Sequence, residues 1–195
     1  MRVIAGRFGG RRLKAPKGRV TRPTSDRVRE ALFSMLGEMR GVVALDLFAG
    51  TGALGIEALS RGAERVVFVE RDVAATAVLR ANLAGLGLGQ DEAEVRVGDA
   101  LAAVRAARGR GETYDLVFVD PPYRHARELG RELSVALPPV LGTGARVVVE
   151  SDRRAPVELP LEAALKRRYG DTTITIHRLL TKGDEPPEQS SHRGP

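Results

Sequence analysis

Short apolar runs recur along this chain with helix-patterned segments between them. That alternation limits the fold more than any other feature. Val42-Val43-Ala44-Leu45-Asp46-Leu47 is nearly continuous in apolar side chains, and Arg65–Glu70, Glu94–Val97, Tyr114–Val119 and Ala145–Glu150 repeat the type. A strand that is apolar at consecutive positions is buried on both faces, as in a parallel sheet covered by helices. Residues 53–61, 72–86, 100–108 and a segment after Tyr123 supply the helices. The pattern changes near the end, where Leu165–Tyr169 and Thr172–Leu180 flank Gly170-Asp171. Two strands about so short a Gly-containing turn form an antiparallel hairpin. The expectation is an α/β fold with a mostly parallel seven-stranded sheet and an antiparallel last strand.

Residues before this alternation read differently. Arg2-Val3-Ile4-Ala5 and Arg11-Arg12-Leu13-Lys14 flank Gly9-Gly10, so residues 2–20 are expected to form a hairpin that lies on the body or on a partner. Thr24-Ser25-Asp26 offers caps for a helix running to about Gly37, with Val28, Ala31, Leu32, Met35 and Leu36 at helical spacing. Charge is concentrated here. Residues 1–29 carry ten Lys/Arg and one acid, Asp26, whereas the rest of the chain holds 21 basic and 24 acidic residues. Clustered cations gain by releasing counterions from a phosphate backbone, so the arm points to a nucleic-acid partner. The expected division is a basic hairpin over 1–20, a main domain over 21–182 and a disordered tail over 183–195, a stretch without apolar residues.

Composition removes several chemistries. The chain has no Cys, which excludes disulfides, thiolate metal sites and a cysteine nucleophile. No His/Asp/Glu cluster has metal-ligand spacing, so no metal is expected. No apolar run approaches the ~20 residues that span a bilayer, and the N-terminus lacks a secretory signal pattern. A soluble, cytoplasmic monomer is expected.

Gly50-Thr51-Gly52-Ala53-Leu54-Gly55 matches G-x-G-x-x-G between a strand and a helix, the context that gives the pattern meaning. Its glycines allow a tight turn and close approach of a ligand. Glu70 stands 20 residues after Gly50 at the end of the second strand, where a carboxylate accepts hydrogen bonds from a ribose diol. Asp46 would oppose a pyrophosphate but welcome a sulfonium or ammonium. Asp99 follows the third strand, placed to accept from an adenine amino group. Acids at three strand ends suit S-adenosylmethionine better than a nicotinamide dinucleotide.

The fourth strand ends in Asp120-Pro121-Pro122-Tyr123. Ligands of open α/β sheets bind beyond the carboxyl ends of the strands. The two prolines stiffen the turn and remove two N–H donors, leaving acceptors beside a flat aromatic ring. Such a site suits the exocyclic amine of a nucleobase: two acceptors on its N–H groups return electron density to nitrogen.

Asp46-Leu-Phe-Ala-Gly50-Thr-Gly52 with Asp120-Pro-Pro-Tyr123 resembles the class I S-adenosylmethionine-dependent methyltransferases of exocyclic amines, which have a Rossmann-like fold. Arg2-Val-Ile-Ala-Gly6, Thr21–Phe33, Leu45–Gly55, Glu57–Ala63 and Phe68-Val-Glu70 narrow the resemblance to the bacterial 16S rRNA guanine-N2 methyltransferase family, over roughly residues 1–180. The resemblance implies methyl transfer to the 2-amino group of one guanine in 16S rRNA, within an assembled small subunit. Carried over by position, Asp46, Phe48, Gly50, Gly52, Glu70, Asp99 and Thr24 bind the cofactor, with Phe33 helping to close its pocket. Asp120 and the Pro121 carbonyl take the amine, Pro122 stiffens the turn and Tyr123 stacks on the base. Arg7, Arg11, Arg12 and Lys14 are the expected RNA contacts. The rival readings are an adenine-N6 methyltransferase of DNA or RNA, an NAD(P)-dependent oxidoreductase and a non-catalytic rRNA-binding assembly protein. His125 reads as a surface residue, while His177, Tyr169 and Phe8 read as packing residues.

Overall fold

The computed structural model describes residues 1–15, 25–121, 126–152, 157, 159 and 161–179. Its elements in chain order are α1 (Asp26–Leu36), β1 (Val43–Asp46), α2 (Ala53–Ser60), β2 (Arg65–Glu70), α3 (Val73–Leu86), β3 (Ala93–Val97), α4 (Ala100–Gly109), β4 (Tyr114–Val119), α5 (Ala126–Ala136), β5 (Leu141–Asp152), β6 (Ala163–Tyr169) and β7 (Thr172–Arg178). They form one seven-stranded sheet in the order β3-β2-β1-β4-β5-β7-β6. Strands β1 to β5 pair in parallel, and β7 runs antiparallel between β5 and β6. The expected fold is the observed one: a Rossmann-like, mostly parallel sheet whose last strand is reversed.

Side-chain alternation divides the core into two layers. Ala44, Val66, Phe68, Leu116, Phe118, Val148, Ile174 and Ile176 face α1, α2 and α3. Leu45, Leu47, Val67, Val69, Val117, Val119, Val147 and Val149 face α4 and α5. Strands buried on both faces explain the continuous apolar runs. The β5 strand begins four residues earlier than Ala145, because Leu141 pairs with Tyr114 across an irregularity in register. Leu141-Gly142-Thr143-Gly144 carries the composition of a loop, and pairing overrides it.

Helix starts follow the side chains on offer. Ser25 accepts from the Val28 amide at the start of α1, Asp72 from Ala75 in α3 and Asp99 from Ala102 in α4. Thr24, the alternative cap, lies outside the described residues, as do Pro122, Tyr123, His125 and the tail over 183–195. Among the described residues no helix is long and apolar enough to cross a membrane.

Residues 1–15, the described part of the N-terminal arm, double back about Gly9-Gly10. They hold a single antiparallel bridge, Arg2 to Arg12, flanked by Val3 N–H to Arg11 O at 3.0 Å and Gly10 N–H to Val3 O at 2.9 Å. The Leu13 N–H also reaches the Met1 carbonyl at 3.1 Å, and within the turn α2 takes the arm's other donors. Ile4 and Ala5 N–H donate to the Glu57 carboxylate at 2.7 and 3.1 Å, and Arg7 N–H to the Ser60 carbonyl at 2.8 Å. The Phe8 N–H reaches the Ser60 hydroxyl at 3.0 Å. Gly6 closes the contact: at φ +82°, a Cβ there would stand 1.8 Å from the Ser60 carbonyl oxygen. Val3 and Leu13 are buried in the α1–α3 layer. The arm is therefore part of the body.

Candidate active site

The glycine loop joins β1 to α2. The Leu47 N–H reaches the Phe118 carbonyl at 3.1 Å and the Ala49 N–H reaches Val69 at 3.0 Å, so the loop rests on the ends of β4 and β2. Gly50 and Gly52 hold φ of +54° and +87°, where a side chain is strained. Gly55 has a different reason: a Cβ there would meet the Phe68 ring at 2.2 Å, so its absence lets α2 lie directly on β2. Around Gly50 the space beyond the backbone is open, with only the Phe48 carbonyl oxygen at 4.0 Å from a Cβ position. Phe48 itself is half-buried against the α4–α5 layer.

Four carboxylates stand along the carboxyl edge of the sheet. Register fixes their common face. Asp46 pairs with Phe68 and Phe118, Val69 is followed by Glu70, and Val119 pairs with Val149, one residue before Asp120 and Glu150. With period two, Glu70, Asp46, Asp120 and Glu150 continue the face that carries Phe68, Phe118 and Val148.

Their environments differ. Glu70 braces the loop: one oxygen accepts from Gly50 N–H and the other from Asp72 N–H, both at 2.8 Å. Each carboxylate oxygen has a further lone pair, so ribose hydroxyls can still be accepted. Asp46 is 2% exposed and accepts from the Gly55 N–H at 3.1 Å. Burial pushes its carboxyl up to about 7, with nearby Glu70 adding to the rise and the Gly55 and Phe48 amides opposing it. Asp120 is also held well above the usual carboxylate range, first by loss of water and then by the charges of Glu150 and Asp46. Clustered acids that resist ionisation form a site that gains from an arriving cation. Pro121 is buried directly after Asp120. Asp99 is exposed, with one oxygen occupied in capping α4 at 3.1 Å from Ala102 N–H.

Not every expected residue lies here. Phe33 is 1% exposed in the core, its ring 5.9 Å from that of Phe118 and beneath the Arg61 guanidinium. It supports the sheet from α1, on the face that continues into the carboxylates. Of the four arm cations, Arg7 pairs with Glu92 and lies over Phe8 at 4.5 Å, and Arg11 donates to the Gly85 carbonyl at 2.9 Å. Arg12 and Lys14 carry exposed side chains. Phe8 and Tyr169 pack against the α1–α3 layer, and His177 is buried with Nδ1 at 2.9 Å from the Leu161 carbonyl, all as packing residues.

The family described as Conserved hypothetical protein 95 matches residues 1–178. YlbH of Bacillus subtilis (strain 168), named as a putative rRNA methyltransferase, is 41% identical over 184 residues, covering 91% of this chain and 98% of that protein. Ribosomal RNA small subunit methyltransferase D of Haemophilus influenzae is 35% identical over 181 residues, 92% of each. The chain belongs to the small-subunit rRNA methyltransferase D family. The Escherichia coli (strain K12) member is 43% identical over 125 residues, 64% of this chain and 61% of that protein. A solved structure, a putative methyltransferase yhhF from Escherichia coli, superposes with a TM-score of 0.79 at 36% identity, covering 91% of this chain and 97% of that one.

Three residues of this family member carry roles that pattern reading passes over. Glu150 faces Asp120; period two from Val148 on a strand that ends beside β4 is the signal that points to it. Glu57 is fully buried and binds the arm's two amides and the Arg61 guanidinium, at 2.7 Å from Nε. Asn82 on α3 holds Lys14 at both polar backbone atoms, 2.7 Å from N–H and 3.2 Å to O, and donates to the Thr51 carbonyl at 3.0 Å. It links arm and glycine loop. Among the described residues no three His, Cys, Asp or Glu are grouped to hold a metal ion.

Proposed function

We propose that this chain transfers a methyl group from S-adenosylmethionine to the exocyclic N2 amine of a guanine in 16S rRNA, within the small ribosomal subunit. The row of four carboxylates on one face of the carboxyl edge carries the reading. A site that raises Asp46 to about 7 and Asp120 above its usual range by burial and mutual repulsion favours a cationic ligand over a pyrophosphate. The glycine loop fits the same ligand, because open space over Gly50 lets an adenosine-bearing molecule lie against backbone. The names of the relatives add rRNA as the substrate class.

In this reading Asp46, Phe48, Gly50 and Gly52 border the methionine end, Glu70 takes the ribose, Asp99 lies by the adenine and Thr24 completes the pocket. When bound, S-adenosylmethionine supplies an electrophilic methyl group on a sulfonium. The protein's work is on the nucleophile. Asp120 and the Pro121 carbonyl accept the two N–H groups of the amine and aim its lone pair, while Tyr123 stacks on the ring. Asp120 is also suited to hold the proton the amine loses, since its surroundings favour the protonated carboxyl. The target base leaves its stack to reach this turn, at a cost of a few kcal/mol. Phosphate contacts by Arg12 and Lys14 at the arm, with the exposed parts of Arg7 and Arg11, help to offset it.

The test is radiolabelled S-adenosylmethionine with 30S subunits lacking the modification, naked 16S rRNA and duplex DNA, followed by nucleoside analysis. N2-methylguanosine from 30S subunits, lost in Asp120→Ala, is the expected result. Label on adenine would move the substrate while keeping the site. No label with intact cofactor binding would favour an assembly factor.

A further inference from the structure

An acidic pocket and a polyanionic substrate repel each other, so the pocket needs cations at its rim. The arm does not serve that need fully, since Arg2 pairs with Asp26, Arg7 with Glu92 and Arg11 with a carbonyl. Among the described residues, a run of three consecutive exposed cations lies on the outermost strand. β6 reads Ala163-Ala-Leu-Lys166-Arg167-Arg168-Tyr169, with no acid, and all three basic residues are exposed. Among the described residues none of the three pairs with a carboxylate; their one side-chain bond runs from Arg167 to the Lys166 carbonyl at 3.2 Å.

Topology brings these cations to the active edge. Because β7 is reversed, β6 runs in the direction of β1–β5 and its carboxyl end reaches the same edge. Arg167 pairs with Ile174, and Ile174 pairs with Glu150. Arg168 stands beside Thr173, which pairs with Ser151. Leu165 and Tyr169 pack on the α1–α3 layer, and Arg167 alternates in phase with them. Arg167 is therefore on the face and at the level of the four carboxylates. At about 4.8 Å per strand its backbone is roughly 10 Å from that of Glu150 and roughly 15 Å from that of Asp120. That is the range of the phosphates flanking a base held at Asp120.

We infer that β6 is a second RNA-contact surface, on which Arg167 grips the backbone beside the target nucleotide while Lys166 and Arg168, on the other face of this edge strand, extend the contact along the same RNA backbone. An edge strand needs a charge to resist pairing with other sheets, but one Lys suffices for that. Two adjacent arginines add forks that match phosphate oxygens. The inference rests on the rRNA reading above and deepens it.

The experiment compares wild type, Arg167→Gln/Arg168→Gln and Arg167→Lys/Arg168→Lys as full chains. Unmodified 16S rRNA transcript and 30S subunits are titrated across a salt series, with S-adenosylmethionine affinity and thermal melting measured in parallel. The Gln pair is expected to weaken transcript binding about tenfold and to flatten the slope of log affinity against log salt by about 1.5. Cofactor affinity and melting should hold, KM for RNA should rise more than kcat falls, and the Lys pair should restore most of the slope. Equal transcript affinity and slope in the Gln pair would overturn the inference. So would an unchanged transcript affinity with weaker 30S binding, which would assign the strand to a ribosomal protein. A wild type that neither binds nor methylates RNA would instead remove the rRNA reading itself, and this inference with it.

Discussion

Replacing Asp46 by Asn should make the protein more stable and a poorer cofactor binder at once. Asp46 is 2% exposed and its carboxyl moves from 3.8 to about 7, chiefly through burial. The folded state thus binds the proton more tightly than the unfolded chain does. The sign follows: the stabilisation is complete below the unfolded value and is lost as pH rises through the folded one. At ~1.4 kcal/mol per unit, an ionised Asp46 weighs about 4 kcal/mol against the fold at pH ~8. Asn keeps an oxygen for the Gly55 N–H but introduces amide hydrogens that lack a partner, at about 1–3 kcal/mol. The net gain of about 1–3 kcal/mol corresponds to a Tm higher by several degrees, at ~2–4 °C per kcal/mol. Near pH ~5 the gap should vanish, because taking up the proton then costs wild type only about 1.6 kcal/mol, which the unpartnered Asn amide offsets. Cofactor affinity should run the other way. In wild type it should rise about tenfold per pH unit below ~7 and level off above. In Asp46→Asn it should be weaker above pH ~7 and show a flatter profile. Titration calorimetry with S-adenosylmethionine and scanning calorimetry of the free protein from pH ~5 to ~8.5 read both. The ligand's own titration is common to both proteins and cancels in the difference. An Asp46→Asn protein that melts below wild type at pH ~8, with the wild-type pH profile of binding, would refute the account.

Gly55→Ala should lose about 1–3 kcal/mol or more by overpacking, because the new methyl meets the buried Phe68 ring at 2.2 Å; thermal unfolding reads it, and wild-type stability would mean α2 lifts freely from β2. Gly6→Ala meets a backbone oxygen at 1.8 Å and a positive φ, so the arm should undock and be cleaved first in limited proteolysis; an unchanged digestion pattern would contradict the docking. Asn82→Ala leaves the Lys14 N–H, the Lys14 carbonyl and the Thr51 carbonyl without its amide. Amide exchange should accelerate both in the arm and at the glycine loop, whereas acceleration in the arm alone would show that the two are not linked.

How much of this could be read in advance depends on whether a feature is local. The parallel strands and their helices were legible, because burial on both faces leaves continuous apolar runs such as Val42–Leu47. So was the hairpin at Gly170-Asp171, which bends where Gly170 holds φ +62°. The glycine motif was legible in outline, yet its three glycines differ in reason: two permit positive φ and Gly55 gives room to Phe68. The arm was half legible. Its apolar positions Val3 and Leu13 do bury, but the sequence around Glu57 gives no sign that a helix carboxylate takes two of the arm's donors. For the same reason the arm's cations read as free when several are tied within the fold. Glu150 was hidden because a strand-end acid acquires meaning only from its neighbour, and adjacency to Asp120 belongs to sheet order.

The two charge patterns bear on each other. Arg29 is fully buried on α1, donating to Asp26 at 3.0 Å and to the Arg2 carbonyl, while Nε and Nη1 have no partner among the described residues. A guanidinium is kept there at a cost. Asp46 and Asp120 are kept at the carboxyl edge although burial and neighbouring carboxylates oppose their charge. Glu57 differs, because its oxygens are satisfied by Ile4, Ala5 and Arg61. Carboxyls that burial drives toward the protonated form, as at the edge, are what selection for folding alone would remove, and an ion-paired carboxylate such as Glu57 is what it would keep. The contrast separates a binding edge from a structural one. It predicts that Glu57→Gln, which keeps one acceptor but loses the Arg61 pairing, destabilises by about 1–3 kcal/mol. Asp46→Asn, an equally conservative change, should stabilise. Opposite signs in the two melting curves support the division, and equal signs would erase it.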